Sequence, residues 1–121
     1  MTLPSEAGDP PPPSTMRTYV VGLLYEGPNR PSSPEEGEAL QRGHLATIGR
    51  LGREGKILVV GPFRDDGPLR GLVIFDTDSI EEARDWFSED PAVSAGVFRM
   101  EFRPWYGAKG VGIHAARPAE A

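Results

Sequence analysis

The hydrophobic pattern along the chain predicts four strands and two helices. The first strand-like run, Arg17 to Tyr25, is rich in β-branched and aromatic residues and stops at Gly27-Pro28. Both alternating faces of this run are largely apolar, which is typical of a central strand. We therefore expect the first strand to lie inside a sheet.

A helix is predicted from Pro34 to about Glu54. Ser33 is a favoured N-cap residue, proline suits the first turn, and two glutamates follow where the helix dipole is positive. Gly55 is a typical residue to end the helix. The apolar face has residues spaced four, four and three apart, namely Leu40, His44, Ile48 and Leu51. This spacing directs His44 toward the core.

A hairpin follows the first helix. Ile57 to Val60 forms a short apolar strand, and turn-forming residues from 61 to 68 fold it back onto Leu69 to Phe75. Gly61-Pro62 predicts a sharp exit from this strand, since glycine allows a positive φ.

A second helix is capped by Ser79 and closed by Asp90-Pro91. Val97 to Pro104 then alternates strictly between apolar and charged residues, as a half-exposed edge strand does. The resulting βαββαβ order predicts an α+β, ferredoxin-like fold with strands one and three at the centre.

Both helices of this arrangement cover the same sheet face. The other face has apolar residues between Tyr19 and Leu24 and between Leu72 and Phe75, an exposed patch larger than soluble monomers usually carry. We therefore expect a homodimer that buries this open face.

The two ends of the chain differ from this folded segment. Residues 1–15 contain five prolines and little to bury, which predicts a disordered tail, and Met16 is an alternative start. Residues 107–121 are rich in Gly and Ala without a period, which predicts a flexible extension; His114 lies there and is assigned no role. The predicted domain covers residues 16–106.

The amino-acid composition excludes several classes of function. The chain has 121 residues, no cysteine, two histidines and a net charge of -5. Thiol redox chemistry and thiolate metal sites are excluded, and a multi-histidine metal site is not expected. The acidic balance disfavours nucleic acid, and no apolar run approaches the ~20 residues that cross a bilayer. A cytoplasmic protein without metal, membrane or nucleic-acid partner is expected.

Three segments resemble the YCII-related (YciI-like) family of small dimeric α+β barrel proteins. They are His44-Leu45, the run from Gly55 to Pro62, and the run from Glu89 to Val97, in matching order and spacing. The resemblance implies a dimeric barrel with an active site built on a histidine and an aspartate, here His44 and Asp90. The family usually has an arginine three residues before the histidine, where this chain has Gln41, followed by Arg42. Arg42, Gly61 and Pro62 are the candidate substrate-binding residues.

His44 and Asp90 each have two interpretations. A histidine on an apolar helix face is often a structural residue, but an imidazole can also take and return a proton near neutral pH. A carboxylate on its other nitrogen would fix the tautomer. Asp90 can equally be a turn residue that accepts backbone N–H bonds. His44 lies about nine residues, or roughly 14 Å, along its helix, so the Asp90 loop must fold inward to reach it.

Three functions follow as hypotheses. The first is a small cofactor-independent enzyme in which His44, oriented by Asp90, moves a proton on a small cyclic or aromatic substrate during elimination, isomerisation or hydrolysis. The second is a non-catalytic dimer that binds a small ligand or modulates a partner. The third, cofactorless oxygenation, rests only on fold analogy.

Overall fold

The structure, a computed structural model, describes residues 13–112. After a short 3-10 turn at Pro13–Thr15, the elements are, in chain order, β1 (Met16–Glu26), α1 (Pro34–Arg53), β2 (Ile57–Pro62), β3 (Leu69–Phe75), α2 (Ile80–Phe87), α3 (Pro91–Ser94) and β4 (Phe98–Ala108). The four strands form one antiparallel sheet in the order β2-β3-β1-β4. This is the ferredoxin-like arrangement, with β1 and β3 at the centre as predicted.

The helix starts follow the predicted capping chemistry. The Ser33 side chain accepts a hydrogen bond from the backbone N–H of Glu36 at 3.0 Å, and Glu36 in turn accepts from the N–H of Ser32 at 2.6 Å. Ser79 accepts from the N–H of Glu82 at the start of α2. These bonds satisfy N–H groups that a helix start leaves without partners.

The main core lies between the helices and one face of the sheet. Leu51 of α1 and Phe87 of α2 pack there with Val20, Val73 and Phe75 from the central strands. Both helices therefore cover the same face, as the sequence predicted. The observed strand β4 places Phe98, Met100 and Phe102 on this face and charged residues on the other, because Met100 and Phe102 pack against the core.

The opposite sheet face is partly covered by the chain itself. Tyr19, Val21 and Ile74 are buried there, and Val111 packs against them. The Tyr19 hydroxyl donates to the carbonyl of Ala108 at 2.7 Å and accepts from the N–H of Val111 at 3.4 Å. The open face is therefore smaller than the sequence pattern suggested, although Trp105 on it remains 41% exposed.

Several boundaries differ from the sequence-based ones. β4 continues to Ala108, since residues 104–108 pair with β1, so the domain boundary at residue 106 divides this strand. Residues 109–112 pack back on the sheet, and the N–H of Lys109 donates to the carbonyl of Thr15. The remainder of the two predicted tails, residues 1–12 and 113–121 with His114, lies outside the described residues.

Gly61-Pro62 does not form the predicted sharp exit. Both residues belong to β2, paired with Leu72 and Gly71, and Gly61 is not among the glycines with positive φ. The turn lies further on, where the Asp65 carboxylate accepts from the N–H of Gly67 at 3.0 Å. Pairing with β3 continues past this point, and the N–H of Phe63 still donates to the carbonyl of Arg70 at 2.8 Å.

Candidate active site

His44 and Asp90 lie against each other in the folded protein. His44 lies in the middle of α1, and Asp90 is the N-cap of α3, where its carboxylate accepts from the N–H of Val93 at 3.1 Å. The His44 Nδ1 atom is 3.0 Å from Oδ1 and 3.1 Å from Oδ2 of Asp90. The Asp90 loop thus folds inward, as the position of His44 along its helix required.

The side chains of His44 and Asp90 are almost completely buried. Asp90 is fully buried and His44 is 6% exposed. The imidazole ring packs against Phe98, with ring centroids 5.2 Å apart, and against Phe87 at 6.1 Å. A buried carboxylate needs hydrogen-bond partners, and His44 and Val93 supply them.

The geometry defines the tautomer of His44. A carboxylate accepts hydrogen bonds, so Nδ1 carries a proton and donates the hydrogen bond to Asp90; when the ring is neutral, the lone pair is on Nε2. Within the described part of the chain, Nε2 has no hydrogen-bond partner. No buried side-chain nitrogen or oxygen there lacks a partner, so solvent reaches Nε2. One ring nitrogen is held by the protein and the other is open.

His44 lines a cavity of about 380 Å³ between α1 and the β2–β3 hairpin. Its walls are largely apolar and come from every layer of the fold: Leu24, Gln41, Leu45, Ile48, Val60, Gly61, Pro62, Arg70, Gly71, Leu72, Val73, Phe87 and Phe98. Leu45 and Val60 are 56% and 41% exposed and give the cavity an apolar mouth. The volume is in the range of small-molecule sites.

The predicted site residues are partly brought together. Gly61 and Pro62 line the cavity beside His44, although as strand residues rather than as a turn. Arg42 is exposed and is not among the lining residues, because a residue two positions before His44 points to another side of the helix. Gln41, three positions before His44, lies on the cavity side.

One polar lining residue, Gln41, was not predicted to bind a ligand. Gln41 shares the helix face of His44, and the i, i+3 spacing is the signal that identifies it. Arg70 also borders the cavity, but strand alternation places its side chain with Leu72 and Ile74 on the opposite sheet face. Among the described residues no group of three or more His, Cys, Asp or Glu is arranged to hold a metal ion. No helix there is long and apolar enough to span a bilayer.

Fold and site together define a small ferredoxin-like α+β protein with a buried histidine–aspartate pair beside a cavity. The YCII-related domain family matches residues 19–106, which is most of the chain. The protein therefore belongs to the YCII-related family, as the three sequence segments indicated.

Individual proteins match over shorter segments. An uncharacterized protein of Haemophilus influenzae is 32% identical over 76 residues, which cover 56% of this chain and 78% of that protein. The uncharacterized protein YjpA of Bacillus subtilis is 32% identical over 63 residues, which cover 52% and 72%. Among solved structures, 5-chloro-2-hydroxyhydroquinone dehydrochlorinase from Burkholderia phenoliruptrix, in complex with 2,5-dihydroxybenzoquinone, is 27% identical. The match covers 70% of this chain and 92% of that one, with a TM-score of 0.48.

Proposed function

We propose that the protein is a small cofactor-independent enzyme in which His44, oriented by Asp90, transfers a proton on a small cyclic or aromatic substrate. The observation that carries this proposal is the asymmetry of the His44 ring. Nδ1 is hydrogen-bonded to a fully buried carboxylate, whereas Nε2 has no protein partner in the described chain and belongs to a cavity-lining residue. A histidine kept only for packing would have both nitrogens satisfied by protein.

The proton moves between the substrate and Nε2. Nε2 takes a proton from a C–H beside a carbonyl, from a hydroxyl group or from an attacking water, and the ring becomes an imidazolium. The Asp90 carboxylate, already bonded to Nδ1, stabilises that positive charge. Nε2 then returns the proton to a leaving group or to another position of the substrate. Elimination, isomerisation and hydrolysis all use this cycle, and none of them requires a redox cofactor.

The cavity supports the substrate class. Its volume of about 380 Å³ accommodates a single ring with substituents, and its walls are mainly aliphatic and aromatic side chains. Gly61 and Pro62 form part of the wall, and the Gln41 amide can donate to a substrate carbonyl or accept from a substrate hydroxyl. An apolar ring with a few polar substituents matches these surroundings.

The test is proton exchange and turnover with a panel of cyclic ketones, hydroxylated aromatic compounds and lactones in D₂O, followed by NMR. His44→Gln keeps similar size and polarity but cannot shuttle a proton, so turnover should fall about 10²–10⁴-fold while the protein stays folded. Asp90→Asn should lose less, because the amide oxygen can still accept from Nδ1. Full turnover in His44→Gln would reject the catalytic role and favour the ligand-binding hypothesis.

We also propose that the protein forms a homodimer through the open sheet face. Leu23, Leu58, Val59 and Leu72 lie on this face beside the buried cluster and are only partly buried within one chain. Trp105, at 41% exposure, adds a large apolar side chain to the same face. A second copy presents the same apolar surface, so a two-fold interface would bury both.

A further inference from the structure

The outer edge of β4 has no strand paired with it among residues 13–112. The sheet order is β2-β3-β1-β4, so β4 pairs with β1 on one side only. Just before β4, the carbonyl of Val97 accepts from the N–H of Gly27 at 2.8 Å. Just after β4, the N–H of Lys109 donates to the carbonyl of Thr15 at 2.9 Å. Since bonded and non-bonded pairs alternate along an antiparallel ladder, the odd-numbered residues of β4 bond to β1.

The even-numbered residues of β4 therefore direct their backbone groups outward. Phe98, Met100 and Phe102 each present an N–H and a carbonyl at this edge. Pro104 is next in the series and has no N–H, which suits an outward position and ends the run of donors. Proline, lysine and bulges commonly protect a sheet edge, and none of them occurs from Phe98 to Phe102. This stretch of the edge is open to another strand.

The side chains of the same three residues form an apolar row on the helix side of the sheet. Met100 and Phe102 pack against the main core but are only partly buried, and Phe98 is half-buried beside His44. All three line a groove of about 330 Å³ between α2 and β4. A strand added at this edge would cover more of this apolar surface as well as the backbone groups.

The charged residues on the other face of β4 make the strand complementary to itself. The Arg99 guanidinium lies over the ring of Tyr25, 4.4 Å from its centroid, and has no carboxylate within ion-pair distance in the described part of the chain. Glu101 lies two residues further on and accepts from Arg103 at 3.2 Å. When two copies of β4 pair antiparallel about a two-fold axis at Met100, Arg99 of each copy lies directly opposite the partner's Glu101.

The sequence favours this register over its neighbours. In it, Phe98 lies opposite the partner's Phe102, and every outward N–H of the stretch meets a carbonyl. Sliding one copy by two residues in one direction puts Arg99 opposite the partner's Arg99. Sliding it in the other direction puts Glu101 opposite the partner's Glu101 and Phe98 opposite the partner's Pro104, which has no N–H. Like charges directly opposite each other on neighbouring strands are destabilising.

We infer that the edge of β4 is an interface with a second copy of this chain, which adds its own β4 antiparallel and joins the two sheets into one. This interface is separate from the open sheet face and does not rest on the proposed enzyme activity. The contact is small, because each copy contributes only residues 98–102, so we expect it to form at roughly 0.1–1 mM. The open-face dimer, expected at micromolar concentration, would then associate further into a tetramer.

The first experiment uses two charge-reversal variants of the full-length chain. Arg99→Glu sets two carboxylates opposite each other across the interface, and Glu101→Arg sets two guanidinium groups opposite each other. Each variant alone should associate at this edge about 10-fold more weakly than wild type, because two attractive pairs become repulsive. An equimolar mixture of the two variants restores two attractive pairs, so mixed association should approach that of wild type. Sedimentation equilibrium at about 0.5 mM measures all three samples.

The control for net charge is Arg64→Glu, which reverses an exposed charge in the loop between β2 and β3 and should leave association at the β4 edge unchanged.

The second experiment separates the β4 edge from the open sheet face, on which Arg99 and Glu101 also lie. Amide hydrogen exchange is followed by NMR at about 20 µM and about 1 mM, below and above the expected range of edge pairing. The N–H groups of Phe98, Met100 and Phe102 should exchange about 3- to 10-fold more slowly at the higher concentration, because edge pairing gives them acceptors. This dependence should persist in Leu72→Asp, which is designed to disrupt the open-face dimer.

Exchange at these three N–H groups that does not change with concentration would overturn the inference. So would a mixture of Arg99→Glu and Glu101→Arg that associates no better than either variant alone. Mixed association without slower exchange would assign the charge effect to the open sheet face and likewise reject edge pairing. Slower exchange at 1 mM in a chain that is monomeric at micromolar concentration would support the inference and reject the open-face dimer alone.

Discussion

Gly43 of α1 lies against Pro91 of α3 so closely that a Cβ atom at Gly43 would come within 2.3 Å of the Pro91 Cγ atom. Each of the two residues is the sequence neighbour of one member of the buried pair, His44 and Asp90. The absence of a side chain at Gly43 lets α3 approach α1. This close approach brings the Asp90 carboxylate within hydrogen-bond distance of His44 Nδ1.

Gly43→Ala should therefore destabilise the protein and separate the pair. Alanine favours a helix by about 1 kcal/mol over glycine, but overpacking against Pro91 costs about 1–3 kcal/mol, so a net loss is expected. The control is Gly52→Ala in the same helix, where an added Cβ meets nothing within 4 Å and stability should rise. Urea unfolding of both variants measures the difference. Equal stability of the two would show that the Gly43–Pro91 contact does not position Asp90.

Removal of the Asp90 carboxylate should be costly. Asp90→Ala leaves the His44 Nδ1–H and the Val93 N–H without their acceptor inside the protein, which should cost about 2–4 kcal/mol in the free energy of unfolding. Asp90→Asn retains an acceptor and should cost about half as much. Asp78→Ala removes an exposed carboxylate and should change stability by less than about 0.5 kcal/mol. An Asp90→Ala variant as stable as Asp78→Ala would contradict this account.

The hydroxyl of Tyr19 should contribute to holding residues 108–111 on the sheet. Tyr19→Phe keeps the ring, which lies 5.8 Å from Trp105, and removes the bonds to Ala108 and Val111. We expect a loss of about 1 kcal/mol and faster amide hydrogen exchange at residues 109–111. Exchange that stays unchanged there while stability falls would mean that the hydroxyl acts elsewhere.

Assembly can be measured directly. The dimer proposal predicts about twice 13.1 kDa by sedimentation equilibrium at micromolar concentration. Leu72→Asp, on the open face of β3, should shift the protein toward monomer because it places a charge in the interface. Asp66→Asn, in the exposed loop between β2 and β3, should leave assembly unchanged. A well-behaved wild-type monomer would reject the proposal.

The Glu54 carboxyl at the end of α1 should make the stability of the protein depend slightly on pH. The hydrogen bond from Lys56 to Glu54, helped by Arg50, keeps the pKa of the Glu54 carboxyl below its ordinary value. A lowered pKa in the folded state stabilises the protein at a pH above the unfolded pKa of about 4.3, and this gain is lost as pH falls through the folded pKa. Glu54→Gln should therefore be slightly less stable than wild type at pH 7, with the difference vanishing once the pH has fallen below the lowered pKa of Glu54. A difference that persists at low pH would point to packing rather than charge.

Local patterns in the sequence determined the order and type of the elements. Ser33 and Ser79 predicted the starts of α1 and α2, because a capping side chain acts within three residues of its own position. The alternation from Phe98 to Arg103 predicted both the strand and its buried face, because a strand turns successive side chains to opposite sides. The two-sided apolar run of β1 predicted a central strand, which then fixed the sheet order through the connection rules.

The exact ends of the strands could not be predicted from the sequence. Gly61-Pro62 has turn chemistry, yet pairing with Leu72 and Gly71 of β3 keeps both residues in β2. Residues 104–108 contain proline and glycine, yet all of them pair with Met16 to Val20 of β1. Strand pairing is a contact between distant segments, so its stabilisation is absent from any local window of sequence.

The arrangement of the candidate site also depends on contacts between distant segments. The spacing of α1 directed His44 inward, but no local rule could bring Asp90, 46 residues away, to Nδ1. That contact depends on the packing of α3 against Gly43. Gln41 lines the cavity and Arg42 does not, because the β2–β3 hairpin lies beside only one face of α1. The sequence by itself determined which residues carry the chemistry of an acid/base pair; tertiary packing alone determined which groups share a cavity, because that depends on distances between segments far apart in the chain.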